Sequence, residues 1–167
     1  MMDTRKPNRL KEYDYSENGA YFITICTKNR KPNLSKIEPV GAGVLDRPFV
    51  KLLPYGVVAE RYMNQLNNFY THLSVDKYVI MPNHIHILLR IIDSGRSRTP
   101  APTNRNSSVA QFVSTFKRFC NKEYGNNIFQ RSYYDHVIRG ERDYRDVWDY
   151  IETNPLRWQE DEYHCEK

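Results

Sequence analysis

The chain has 167 residues, of which 40% are hydrophobic and 13% aromatic, and its 25 Lys and Arg against 20 Asp and Glu give a net charge of +5. This length is typical of one domain, and the composition can supply a core, so a wholly disordered chain is excluded. No apolar run approaches the roughly 20 residues of a membrane helix, and the first seven residues lack the apolar segment of a signal peptide. Three distant cysteines, Cys26, Cys120 and Cys165, indicate a reducing compartment without a disulfide framework.

The positive charge is concentrated in two stretches of the sequence. Residues 90–122 hold seven basic side chains and one acid, a local charge of +6, and residues 1–36 hold eight basic and four acidic side chains interleaved with aromatic ones. Such stretches suit nucleic acid, because cations neutralise phosphates and rings stack on bases. A solvated basic surface without a partner is the alternative, and charge alone does not decide between the two.

The first half of the chain alternates predicted strands with a helix. Residues 1–18 have the polar, irregular composition of an N-terminal arm, and residues 21–27 form a β-rich run that predicts a strand. The Gly- and Pro-containing residues 37–56 predict loops with a short hairpin. Apolar residues at helical spacing predict a helix over 57–68, and residues 75–92 predict two strands interrupted at 81–83.

The second half begins with an expected exposed loop at 93–106, which is rich in Ser, Arg, Thr and Pro. Ser108 with Gln111 fits a capping box, and Gly125 marks the end of the helix that follows. Three cations are expected on the outer side of this helix: Lys117, Arg118 and Lys122. A last strand is predicted over 129–139 and a last helix over 143–154, before Pro155. The pattern predicts an α+β fold with a mainly antiparallel sheet, in a domain over 19–160 followed by an acidic tail at 161–167.

A histidine pair is the most informative local motif. In a strand, residues i and i+2 point to one face, so His84 and His86 are expected side by side while Ile85 points the opposite way. Two imidazoles fixed in this manner are natural metal ligands, although strand histidines that only hydrogen-bond to neighbours share the pattern. In the last helix, Tyr150 and Asn154 lie one turn apart on a polar stripe.

At these residues the sequence resembles the REP-associated tyrosine transposases, a branch of the single-tyrosine HUH transposases and nucleases of the IS200-like group. The resemblance extends from about residue 9 to residue 158. Four separated blocks carry it: YDYSENGAYFITICT at 13–27, VIMPNHIH at 79–86, FQRSYYDHVIR at 129–139 and DYIETNP at 149–155. Their order and spacing are far more specific than a single H-x-H motif.

The resemblance implies a fold, an activity and a site. The fold is an antiparallel sheet of about five strands of the HUH nuclease type, with a ferredoxin-like core and the histidine strand at its centre. By this resemblance His84, His86 and Asn154 hold Mg²⁺ or Mn²⁺, and Tyr150 attacks single-stranded DNA at hairpin repeats. The enzyme then nicks and rejoins DNA through a covalent 5′-phosphotyrosine bond. The expected location is the cytoplasm, in association with the nucleoid.

The residues that contact DNA are predicted from charge and aromatic content. Arg9, Lys11 and Tyr13 in the arm are expected to hold single-stranded bases. Hairpin phosphates are assigned to the basic helix residues Lys117, Arg118 and Lys122, and Arg131 is placed near DNA or in support of a loop. Tyr133 and Tyr134 compete with Tyr150 for the role of nucleophile, because an acid and a histidine follow them directly.

Two other functions and two oligomeric states stay open at this point. A catalytically silent hairpin-binding protein of the same fold would need no nucleophile, but His84, His86, Tyr150 and Asn154 are all present. A metal-dependent hydrolase of small molecules is disfavoured by the basic segments. The sequence does not decide between a monomer and a homodimer.

Overall fold

The computed structural model describes residues 18–38, 48–92 and 107–164. Six strands and three helices follow one another in these ranges. The strands are β1 (Gly19–Cys26), β2 (Ser35–Glu38), β3 (Phe49–Leu52), β4 (Leu73–Ile80), β5 (His84–Ile91) and β6 (Tyr134–Ile138). The helices are α1 (Pro54–Phe69), α2 (Ser108–Tyr124) and α3 (Glu141–Thr153), and a 3₁₀ segment, Asn154–Glu160, continues α3.

Four of the strands form one antiparallel sheet in the order β4-β5-β1-β6. The histidine strand β5 therefore lies inside the sheet, where His84 is opposite Cys26 and His86 is opposite Thr24. Strands β2 and β3 pair separately as a two-stranded ribbon. The predicted α+β class with a mainly antiparallel sheet is confirmed, and within the described residues the main sheet has four strands where about five were expected.

Alternation along β1 and β5 gives the sheet two different faces. One face carries fully buried apolar side chains, such as Ile23, Ile25 and Ile87, and packs against α1 and α2 in the main core. The opposite face packs against α3, where a small cluster centres on Leu88, Val147 and Ile151. Because neighbouring residues of a strand point to opposite faces, the histidines and the isoleucines between them fall on different sides.

The ends of α2 differ partly from the prediction. Ser107, and not Ser108, is the N-cap, and its side chain accepts a hydrogen bond from the backbone N–H of Ala110. Gly125 ends the helix with a φ of 65°, the left-handed conformation that glycine adopts without a steric penalty. The start of the helix is therefore displaced by one residue, and its end is as predicted.

The predicted outer position of Lys117 is wrong. This side chain is only 9% exposed, and its ammonium donates hydrogen bonds to the backbone carbonyls of Gln130, Arg131 and Ser132. The last turns of α2 face the loop that leads into β6, so a cation here is satisfied by carbonyls instead of water. Arg118 and Lys122 are exposed as expected.

The remaining elements are close to their predicted places. The interruption at 81–83 separates β4 from β5, and α3 covers the predicted last helix. The last strand is shorter than predicted: β6 begins at Tyr134, and before it Phe129 makes a single bridge to Thr27. The predicted arm up to residue 17, the loop over 93–106 and residues 165–167 lie outside the described residues. Among the helices that the structure describes, none is long and apolar enough to cross a bilayer.

Candidate active site

The two histidines of β5 lie side by side beneath α3. His84 is fully buried and His86 is 1% exposed, and their ring centroids are 4.4 Å apart. Alternation in β5 places both rings on the α3 side of the sheet, as the H-x-H spacing predicts. A buried pair of imidazoles needs polar partners, because an unpaired buried polar group costs about 1–3 kcal/mol.

Hydrogen bonds at Nδ1 fix the orientation of both rings. The Thr24 hydroxyl lies 2.9 Å from His86 Nδ1, and Asn83 Oδ1 lies 2.9 Å from His84 Nδ1. The amide nitrogen of Asn83 donates to the Tyr163 carbonyl at 2.7 Å, which identifies the atom facing His84 as the oxygen. His84 Nδ1 is therefore the protonated nitrogen, and Nε2 carries the free lone pair.

The Nε2 atoms are buried and have no hydrogen-bond partner among the described residues. The same holds for Oδ1 of Asn154, a residue that is 2% exposed at the end of α3. Two imidazole nitrogens and one amide oxygen are thus buried without a hydrogen-bond partner among the described residues. Bound ions and ordered water are the usual partners of such atoms.

Asp161 belongs to this cluster, although its position in the sequence predicts an acidic tail. One carboxylate oxygen accepts a hydrogen bond from Asn154 Nδ2 at 2.7 Å and lies 4.0 Å from His84 Nε2. One potential metal-ligand atom from each of His84, His86 and Asp161 lies within 4.8 Å of the other two. No motif or spacing in the sequence marks Asp161, because its place depends on how the chain turns back after α3.

Burial sets the protonation of the histidines. It lowers the pKa of His84 to about 4 and also lowers the pKa of His86. Removal from water disfavours the charged imidazolium, so both rings are neutral near pH 7. The neutral imidazole is the form that binds a metal ion.

Tyr150 lies next to this cluster, one helical turn before Asn154. Its ring centroid is 5.2 Å from that of His86 and meets Phe22 edge-on at 5.8 Å. The residue is 37% exposed, so a large substrate can reach it without displacing the core. Burial of the ring, together with the negative charges of Asp161 and Glu162, raises the pKa of Tyr150 to about 12.

The two competing tyrosines lie elsewhere. The Tyr133 ring is 5.8 Å from the Lys117 ammonium, and Tyr134 faces Tyr163 at 6.4 Å. Of the three candidate nucleophiles, Tyr150 has the ring in direct contact with one of the histidines.

The segment after α3 covers the histidines. Tyr163 lies with its ring centroid 4.7 Å from that of His84 and 6.0 Å from that of His86, and Trp158 lies 5.9 Å from His84. Arg30 holds this cover through its guanidinium, which stacks on the Tyr163 ring and donates to the Glu162 carbonyl. The part of the predicted tail that the structure describes is therefore packed against the histidine pair.

The predicted DNA-contacting residues divide into two groups. Arg9, Lys11 and Tyr13 lie outside the described residues. Arg118, Lys122 and Arg131 line a groove beside α2 together with the buried Lys117. Helix α2 packs on the face of the sheet opposite the histidines, so the structure does not bring these cations into the site of Tyr150.

Comparison with known proteins supports the resemblance read from the sequence blocks. No protein-family model matches the chain. An uncharacterized protein of Haemophilus influenzae is 28% identical over 177 aligned positions, which cover 97% of this chain and 94% of that protein. A REP-associated tyrosine transposase of Escherichia coli K12 is 22% identical over 149 positions, which cover 86% of this chain and 70% of the relative.

The fold has a counterpart among solved structures. A REP-associated tyrosine transposase bound to a REP hairpin superimposes with a TM-score of 0.63 at 19% identity, over 90% of this chain and 73% of that one. The chain has the fold of a REP-associated tyrosine transposase. The α+β architecture and the predicted resemblance to this family are thereby confirmed.

Proposed function

We propose that the chain is a metal-dependent transposase that nicks and rejoins single-stranded DNA at hairpin repeats through a phosphotyrosine bond at Tyr150. One observation carries the proposal. Three buried ligand atoms that have no partner among the described residues, on His84, His86 and Asn154, belong to one cluster beside a partly exposed tyrosine. The shared fold adds to it, since the solved relative is a transposase bound to a REP hairpin.

The donor set fits a divalent metal ion. His84 and His86 offer neutral nitrogen lone pairs and Asn154 offers a neutral oxygen, while Asp161 lies close enough to hold the Asn154 amide or to act as a ligand itself. Few protein ligands leave coordination positions for phosphate oxygens and water, as a catalytic site requires. When bound, Mg²⁺ or Mn²⁺ would offset the negative charge that develops on the scissile phosphate.

Tyr150 would supply the nucleophile. Its phenolic oxygen forms a bond to phosphorus, the bond from phosphorus to the 3′ oxygen breaks, and the released strand ends in a 3′-OH. A pKa of about 12 keeps the phenolic proton on the free enzyme at neutral pH, so this proton must leave as the bond to phosphorus forms. It passes to solvent, and the departing 3′ oxygen takes up a proton from solvent to become the 3′-OH. The phosphotyrosine bond keeps the energy of the linkage, so a 3′-OH can attack it and restore Tyr150 with a rejoined strand.

A covalent adduct assay tests the proposal. The protein is incubated with single-stranded hairpin repeats of its own genome, with Mn²⁺ or with EDTA, and separated on a denaturing gel. We expect a Mn²⁺-dependent protein–DNA band that is absent in Tyr150→Phe and kept in the matched variants Tyr133→Phe and Tyr134→Phe. A band that survives Tyr150→Phe contradicts the assignment of the nucleophile. Hairpin binding without any band, over several repeat sequences, would establish the catalytically silent alternative.

A further inference from the structure

A groove on the α2 side of the molecule has the composition of a phosphate-binding surface. It runs between the C-terminal half of α2 and the loop over 125–133 that leads into β6. Of the described residues that line it, four are cations and none is acidic.

Three of the four cations are free to meet a ligand. Arg118, Lys122 and Arg131 are exposed, and none of them forms an ion pair with an acid in the part of the chain that the structure describes. Exposed guanidinium and ammonium groups along one groove attract a row of phosphates. Asn126 and Asn127 add exposed amides, which also donate to phosphate oxygens.

Lys117 has a different part in the same groove. Its ammonium lies 2.9 Å from the carbonyl oxygens of Gln130 and Ser132 and 3.4 Å from that of Arg131. These bonds tie the loop to α2 and use the donors that a phosphate would need. Lys117 therefore positions Arg131 and is not itself a contact for DNA.

The loop also connects the groove to the end of the sheet that carries the histidines. The backbone N–H of Gln130 donates to the Cys26 carbonyl at 2.9 Å, and Cys26 is the residue paired with His84. Phe129 bridges Thr27 at the same end. The groove and the site of Tyr150 thus lie on opposite faces of one end of the sheet.

We propose that this groove holds the sugar–phosphate backbone of a double-stranded hairpin stem, with Arg118, Lys122 and Arg131 on phosphates and Lys117 as the positioning residue. The inference rests on the proposed function, which places unpaired DNA at Tyr150. The lining favours a duplex over a single strand, because its one aromatic residue, Tyr133, is only 7% exposed. Single-strand binding sites depend on exposed rings that stack on bases, whereas phosphate contacts suffice to position a duplex.

The test compares two variants that lose the same charge. Arg118→Gln/Lys122→Gln removes two groove cations, and Lys36→Gln/Arg142→Gln removes two exposed cations on β2 and α3. Fluorescence anisotropy over a salt series measures the affinity for a fully paired DNA hairpin and for an unpaired strand of equal length. We expect the groove variant to bind the hairpin about tenfold more weakly, with a slope of log K against log salt reduced by roughly 0.9 per lost phosphate contact. An equal loss in the control variant, or an equal loss for the unpaired strand, overturns the inference.

A double-mutant cycle tests the role of Lys117. If Lys117 acts through Arg131, Lys117→Met weakens hairpin binding on its own but adds little to Arg131→Gln. A general structural effect would make the two losses add, and would contradict the positioning role. Both variants are first checked for an unchanged circular dichroism spectrum.

The adduct assay on the same preparations separates this inference from the proposed function. If wild type forms the adduct but the groove and control variants bind the hairpin with equal affinity, the groove inference is refuted and the proposed function stands. A selective loss of hairpin affinity in the groove variant, with no adduct in any preparation, supports the groove and refutes the catalytic proposal.

Discussion

The two faces of the main sheet are built from alternate residues of the same strands, yet their chemistry is opposite. On the α1 and α2 side, Ile85 and Ile87 of β5 are fully buried among apolar side chains. On the α3 side, His84 and His86 of the same strand are as deeply buried, but their Nε2 atoms have no partner among the described residues. Adjacent residues of β5 therefore have opposite effects on stability. The isoleucines stabilise the fold by apolar burial, and the histidines destabilise it through buried polar atoms.

This difference indicates which face of the sheet is less stable because it forms a functional site. Apolar burial contributes roughly 25 cal/mol per Å² on the first face. On the second face, desolvated imidazole nitrogens that have no partner in the described part of the chain cost free energy, and an ion, ordered water or a catalytic role usually accounts for such groups in native proteins. The histidine cluster on the α3 face is therefore expected to respond to metal, acid and substrate, whereas the apolar core between the sheet and α1/α2 is expected to respond only to changes in packing.

The largest expected effect is on the free energy of unfolding. Ile87→Ala leaves a cavity opposite Ile23 in the main core and should destabilise the metal-free protein by about 2–5 kcal/mol. His86→Ala removes a buried ring whose Nε2 has no hydrogen-bond partner within residues 18–38, 48–92 and 107–164, so its cost should be clearly smaller. Urea denaturation in EDTA measures both values. A His86→Ala variant less stable than Ile87→Ala would break the comparison between the faces.

Between pH 6.5 and pH 4, acid should act mainly through the buried histidines of the α3 face. His84 has a pKa of about 4 in the folded chain against 6.5 when exposed, so between these values the unfolded chain binds a proton that the folded chain does not. Stability is therefore lost as the pH falls from 6.5 to 4, by up to about 3 kcal/mol at 1.4 kcal/mol per pH unit. Denaturation at several pH values, in EDTA, should show this loss in wild type and in the control Ile85→Val.

In His84→Ala the contribution of this side chain disappears, so the stability difference from wild type should become more favourable to the variant as the pH falls. A difference that stays constant between pH 6.5 and pH 4 would show that His84 is not held neutral by burial.

A smaller effect is expected at the segment that covers the histidines. Asp161 accepts the Asn154 Nδ2 hydrogen bond and so directs Oδ1 away from itself. Removing a residue that orients a metal ligand typically lowers metal affinity by about 10–100-fold, and we expect this for Mn²⁺ in Asp161→Ala. Glu160→Ala removes the same charge from an exposed neighbour and serves as the matched control in isothermal titration calorimetry. Equal affinities in the two variants would exclude Asp161 from the site.

Local periodicity explains what the sequence could predict of the site. Strand alternation is enough to place His84 and His86 on one face, and helical spacing is enough to place Tyr150 one turn from Asn154. Neither rule brings the strand and the helix together. That step came from the resemblance to a known family, and the structure shows His86 and Tyr150 in ring contact.

The features that the sequence did not predict depend on contacts between segments that are distant in the sequence, or on the local backbone conformation. Asp161 reaches the histidines because the chain turns back after α3, and an acid in a polar terminal stretch gives no sign of this. Helical spacing alone places Lys117 on the outer side of α2. The loop over 130–132 packs over that side and buries the Lys117 ammonium. Ser107 and Ser108 are adjacent capping residues, and only the backbone decides which of them accepts the Ala110 N–H.

The central claim is that the buried histidine pair on the α3 face binds a divalent metal ion, and Mn²⁺ titration followed by electron paramagnetic resonance tests it most directly. Wild type and the control Ile85→Val, altered on the opposite face of the same strand, are predicted to bind one Mn²⁺ per chain. His84→Ala and His86→Ala are predicted to lose this binding while they remain folded. Histidine variants that bind Mn²⁺ with the affinity and stoichiometry of wild type would contradict the account.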